Sequence, residues 1–200
     1  MTSVTPPRAR SALVIGAALL LLGGAVGCDS GDDLGGTKDG SSSSHGSDNA
    51  PVETVTTLHA TGEKLNEAHR TRVKEGVNKV IDPWFDDAFL GDFPRSDWST
   101  AFVGFTKDAA ADAQGRDLDL LTNAAIADQI DSATATRRRV RLNVFSYRGH
   151  PRGATAHFVL DFTTKGGLEQ PMRLSGDLYL AKDKGEWKIF GYDLDQAVPA

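Results

Sequence analysis

Ala154-Thr155-Ala156-His157-Phe158-Val159-Leu160-Asp161-Phe162-Thr163 is the stretch on which the fold turns. Ala154, Ala156, Phe158, Leu160 and Phe162 fall on one side of an extended chain, and Thr155, His157, Val159, Asp161 and Thr163 on the other. A period of two with one apolar face is the pattern of a half-buried strand.

The alternation continues on both sides. Upstream, Val140, Leu142 and Val144 alternate with Arg141, Asn143 and Phe145, and Arg148-Gly149-His150-Pro151-Arg152-Gly153 supplies a turn. Downstream, Lys165-Gly166-Gly167 breaks the chain. Met172, Leu174, Gly176, Leu178 and Leu180 then oppose Arg173, Ser175, Asp177 and Tyr179. After Asp183-Lys184-Gly185, Trp187, Ile189 and Gly191 oppose Lys188, Phe190 and Tyr192. Four strands at hairpin spacing predict an antiparallel meander with one covered face. The opposite assignment stays open, because Phe145, Val159, Tyr179, Phe190 and Tyr192 also make a partly apolar surface.

The preceding segment reads as helical. Val52, Val55, Leu58, Leu65, Val73, Val77, Val80, Ile81 and Trp84 approximate helical spacing. Pro51 and Glu53 suit a first turn, and Pro83 predicts an end near Asp82. Residues 82–97 read as a loop or broken short helix with Trp84, Phe85, Phe89 and Phe93. A second helix is expected from Ser96 or Asp97, and a third from Thr106 to Gln114, ended by Gly115. The expected class is therefore α+β, with N-terminal helices packed on a C-terminal curved antiparallel sheet of about four strands.

The N-terminus has a different character. Arg8 and Arg10 precede an apolar run, Ala12 to Val26, that is short for a spanning helix. The run ends in Ala25-Val26-Gly27-Cys28, which resembles the lipobox of bacterial lipoproteins, with alanine where leucine is commonest. The resemblance implies a diacylglyceryl thioether on Cys28, cleavage between Gly27 and Cys28, and anchoring to the bilayer at the extracytoplasmic face of the cell membrane. Cys28 is the sole cysteine, so no internal disulfide can form. Residues 1–27 then form a signal peptide, 28–50 a tether and 51–198 a single domain. Residues 29–50 are mostly Gly, Ser and Asp and cannot bury a core. Such a tether reaches roughly 25 Å.

Charge narrows the partners. The chain carries 22 basic and 27 acidic residues, net −5; loss of Arg8 and Arg10 with the signal leaves it near −7. Residues 28–50, with five Asp and one Lys, hold −4 of that, so the domain is about −3. Nucleic acid is not expected as a partner, since phosphate binding needs a basic excess. The one basic run, Arg137-Arg138-Arg139-Val140-Arg141, reads either as a solvated strand start or as a contact for anionic headgroups.

Helices followed by an antiparallel sheet, closing on Gly176-Asp177-Leu178-Tyr179-Leu180, Asp183-Lys184-Gly185 and Glu186-Trp187-Lys188-Ile189-Phe190-Gly191-Tyr192-Asp193, resemble the nuclear-transport-factor-2-like (cystatin-like cone) superfamily. The layout is also similar to actinobacterial envelope-associated proteins that join an anchor to such a cone. The resemblance implies a small pocket on the sheet's inner face. The superfamily spans isomerases, dehydratases, binding modules and scaffolds, so fold does not give function.

His157, Asp161, Arg173, Asp177 and Tyr179 project from one sheet face in the expected registers. His157, Asp161 and Asp177 are the catalytic candidates, as general acid or base in a pocket. Opposite an apolar stripe, such residues are more often a polar cross-strand ladder that keeps a sheet soluble. His45, His59, His69, His150 and His157 show no metal spacing, and the chain has neither a phosphate-cradling loop nor a Gly-x-Ser-x-Gly elbow. No cofactor and no metal is expected. The expectation is a non-enzymatic module for an envelope partner protein or a small apolar ligand. An isomerase- or dehydratase-type enzyme and a structural accessory subunit of an envelope transport complex are the alternatives.

Overall fold

A computed structural model describes residues 51–199. The expected signal peptide 1–27, the expected cleavage between Gly27 and Cys28, and the expected tether 28–50 lie outside the described residues.

The domain is one mixed sheet with a helical layer on one face. The element order is β1 (Thr54–Gly62), α1 (Glu67–Phe89), β2 (Gly91–Asp92), α2 (Lys107–Gln114), α3 (Leu118–Leu121), β3 (Ser132–Tyr147), β4 (His150–Lys165), β5 (Pro171–Asp183) and β6 (Glu186–Pro199), with 3₁₀ turns at Ser99–Phe102 and Ala124–Gln129. The six strands run β1-β3-β4-β5-β6, and the short β2 also pairs with β3.

This corrects the expected layout of N-terminal helices on a four-stranded antiparallel sheet. The segment around Val55 and Leu58 is a strand, β1, and it lies parallel to β3, with Leu58 opposite Leu142. The sheet is therefore mixed and longer. Inward-facing Thr54 and Thr56 hid the alternation, because they donate to Asp82 Oδ1 (2.6 Å) and Asn78 Oδ1 (2.7 Å) on α1 instead of packing as apolar groups.

The first helix is also displaced. It starts after Asn66, whose side chain accepts from His69 N at 2.8 Å, and it runs through Pro83 to Phe89. A proline inside a helix loses one ladder bond. Burial of Trp84, Phe85, Ala88 and Phe89 beyond it outweighs that loss. The helix end is satisfied from outside: Asn123 donates its backbone N–H to Ala88 O (3.0 Å) and its side-chain amide to Phe89 O (2.8 Å). The second expected helix is only the 3₁₀ turn Ser99–Phe102, while the third is α2, ended by Gly115.

The strand faces follow the alternation, with phase changes at bulges. Ala133 and Ala135 face inward at odd positions, and Val140, Leu142 and Val144 at even ones. The switch is a bulge at Thr136, between the pairs Ala135–Phe162 and Arg137–Asp161. A second bulge at Phe190 turns Tyr192 and Leu194 toward the core. The hairpins at Arg148-Gly149 and Lys184-Gly185 have positive φ at both central residues, the backbone twist that two-residue hairpins favour.

Helices and inner sheet face enclose a filled aromatic core. Trp84 meets Phe89 and Phe158 edge-on, at 5.5 and 5.3 Å between ring centroids, and its Nε1 donates to Leu121 O at 3.2 Å. Phe85, Phe158, Phe162, Leu160, Leu174 and Leu178 are all buried beside it. These side chains occupy the place of the inner-face pocket that the resemblance implied. No described helix is long and apolar enough to cross a membrane.

Candidate functional site

The outer sheet face, which the helices leave uncovered, carries all the candidates. Its rows follow the register. Thr57, Arg141, His157, Asp177 and Asp193 form one row, and Val55, Arg139, Val159, Ser175 and Asp195 the next. Because side chains at equal register share a face, arginines collect on β3 and aspartates on β5 and β6.

His157 stands between two partners. Its Nδ1 lies 2.5 Å from Asp177 Oδ1, and Asn143 Nδ2 lies 2.8 Å from its Nε2. The consistent arrangement has Nδ1–H donating to the carboxylate and Nε2 accepting from the amide. An Asp–His pair is half of a nucleophile-activating device. Here the position where a hydroxyl or thiol would sit holds an amide, which offers nothing to activate.

Asp161 belongs to a separate group. Arg173 Nε bonds Oδ1 at 2.7 Å and Arg137 Nε bonds Oδ2 at 2.7 Å, each arginine adding a second contact. The hydrogen bond from Arg173, with that from Arg137, holds the Asp161 carboxyl below the ordinary aspartate value despite its burial. A carboxylate clamped on both sides is a poor base. It lies four residues along β4 from His157, about 13 Å at about 3.3 Å per residue. His157 and Asp177 therefore come together, Asp161 pairs with Arg173 elsewhere, and the three candidates do not share a pocket.

Tyr179 joins neither group. Its ring lies 6.3 Å from that of Phe190, and the two border a groove of 510 Å³ that Phe145 also lines. Phe145 and Phe190 are each 55% exposed. The bulge that extrudes Phe190 is a register feature without a clear local signature, although the outward aromatics themselves were legible.

The basic run does not form one patch. Arg137 holds Asp161, and Arg138 turns to the helix side, where it bonds Asp86 Oδ1 at 2.5 Å. Arg139 and Arg141 remain exposed, make no ion pair among the described residues, and line a 490 Å³ groove with Val55, His157 and Val159. On the helix side, burial raises the Asp82 carboxyl above its ordinary value, only partly countered by the Thr54 hydroxyl and Arg138.

The fold also creates a histidine pair that the sequence did not show. His69 on α1 and His150 at the start of β4 lie 5.5 Å apart between ring centroids. Among the described residues, no group of three or more His, Cys, Asp or Glu is placed to hold a metal. No protein-family model matches the chain, and no curated protein matches it either.

Proposed function

We propose that this chain is an extracytoplasmic lipoprotein, anchored in the bacterial cell membrane through acyl groups on Cys28, whose folded part is a non-enzymatic docking module for an envelope partner protein. The anchor rests on Ala25-Val26-Gly27-Cys28 and its upstream apolar run. The docking role rests on one observation: the uncovered sheet face exposes Phe145 and Phe190 around Tyr179. Exposed aromatics that cluster mark interaction surfaces more than scattered ones do.

The charges on the same face favour a protein over a bilayer as occupant. Arg139 and Arg141 would attract anionic headgroups, but Asp193 and Asp195 on the same rows would be repelled by them. A surface with basic and acidic halves fits a partner of complementary pattern. The enzymatic alternative has less support, because large side chains fill the inner face and the outer-face His157 and Asp161 are saturated by neighbours.

The test has two arms. Changing Cys28 to Ala should abolish acylation and leave an unprocessed or released chain; unchanged processing and retention would refute the anchor. Affinity isolation from solubilised membranes should recover one stoichiometric protein with the native chain and lose it with Phe145→Asp/Phe190→Asp. Equal recovery by the variant would refute docking on this face.

A further inference from the structure

A third groove lies on the helix side, between α1, the turn at Ser99–Phe102 with the residues after it, and the β5–β6 hairpin. Its volume is 600 Å³. Val80, Pro83, Ala101 and Val103 supply apolar wall, and Trp187 lies in the lining. This site is independent of the outer sheet face.

The indole of Trp187 has an unusual position. The residue is only 4% exposed, but its Nε1–H edge reaches the groove, where it donates to no group among the described residues. Trp84, by contrast, spends its Nε1–H on Leu121 O. The Trp187 Nε1 atom is itself open to solvent, since among the described residues the buried side-chain nitrogen that lacks a hydrogen bond is Arg138 Nε. Gly76 keeps this edge of the ring accessible. A Cβ at residue 76 would stand 2.8 Å from Trp187 Cδ1 and 3.2 Å from Nε1, so any side chain there would press on that edge.

The same face of α1 brings cations to it. Arg72, Gly76, Lys79 and Pro83 recur at spacings of three and four, so they form one stripe, with Arg72 and Lys79 on either side of the glycine. Both side chains are exposed, and neither makes an ion pair among the described residues. Lys182 sits 5.5 Å over the Trp187 ring, and Lys188 donates to Val103 O at 3.0 Å. The groove's four cations outnumber its carboxylates, Glu75 and Glu186.

We propose that this groove binds an organic anion with an apolar body. The acid group accepts from Trp187 Nε1–H and is neutralised by Arg72 and Lys79; the body lies against Val80, Pro83 and Val103. An accessible indole N–H flanked by two unpaired cations suits an oxyanion, and charge-assisted hydrogen bonds of this kind are the stronger ones. The apolar wall adds a requirement that a bare inorganic anion does not meet.

Naphthalene-2-sulfonate is a suitable probe, titrated into the ¹⁵N-labelled full chain with the three indole N–H resonances followed by NMR. The Trp187 resonance should shift saturably, while that of Trp84, already bonded, should stay in place. Arg72→Glu and Lys79→Glu should each weaken binding roughly tenfold, and inorganic sulfate should bind at least roughly tenfold more weakly than the probe. Both substitutions fall on exposed positions, so folding is preserved. No saturable shift at Trp187 in the millimolar range would overturn the proposal. So would unchanged affinity in the doubly substituted chain, or equal affinity for sulfate.

Discussion

His157 stands directly opposite Asp177 in the β4–β5 ladder, with Nδ1 2.5 Å from the carboxylate, while Asn143 on β3 closes the other ring nitrogen at 2.8 Å. Three strands thus share one side-chain hydrogen-bond chain. The arrangement places the proton of the neutral ring on Nδ1. Nitrogen NMR should find Nε2 as the bare nitrogen; a proton on Nε2 would mean that Asn143 presents its oxygen instead. His157→Gln should cost up to about 1 kcal/mol, since histidine and aspartate are each about one-third exposed.

Asp161 should matter more. Its side chain is 11% exposed and joins two arginines, so Asp161→Asn should cost about 1–3 kcal/mol at neutral pH by urea unfolding. The folded-state carboxyl titrates below the ordinary 3.8, so its stabilisation is present above that pH and is lost as pH falls through the lower folded value. The difference between the two proteins should therefore shrink in acid. A gap that persists unchanged below that range would contradict the ion-pair account.

Asp82 should behave oppositely. Burial raises its folded value above 3.8, so the folded chain holds this proton more tightly than the unfolded chain does. Its contribution is favourable below 3.8 and fades as pH rises through the window just above. Asparagine keeps an acceptor for the Thr54 hydroxyl without the buried charge. Asp82→Asn should raise the urea midpoint at neutral pH and lose that advantage in acid. A lower midpoint at neutral pH would show that attraction to Arg138 outweighs desolvation.

The legible parts of the fold were those set by short-range periodicity. Strands β3 to β6 show their inward residues because Val140, Leu142, Phe158, Leu160, Leu174 and Leu178 must leave water together, and a period of two is the only way an extended chain can do so. β1 was illegible for the converse reason. Its Val55 is 62% exposed, while inward Thr54 and Thr56 are polar and held by α1, so spacing alone mimicked a helix. Pro83 misled because local backbone preference was weighed without the burial of Trp84 and Phe85 that overrides it. The candidate residues were correctly placed on one face, but whether they met depended on register. The bulge at Thr136 sets Arg137 against Asp161, and the β4–β5 register sets His157 against Asp177.

The sequence by itself determined four strands, the alternation along them, the alanine-rich α2 and the common face of His157, Asp161, Asp177 and Tyr179, because each follows from residues within a few positions of one another; which of the two faces the helices cover it left open. Only the tertiary structure decided that β1 lies parallel to β3, that Asp161 is spent on two arginines, and that Gly76 of α1 meets the edge of Trp187. Those outcomes join residues about 12 to 111 positions apart, and they depend on packing, bulges and shared hydrogen bonds, which no local pattern encodes.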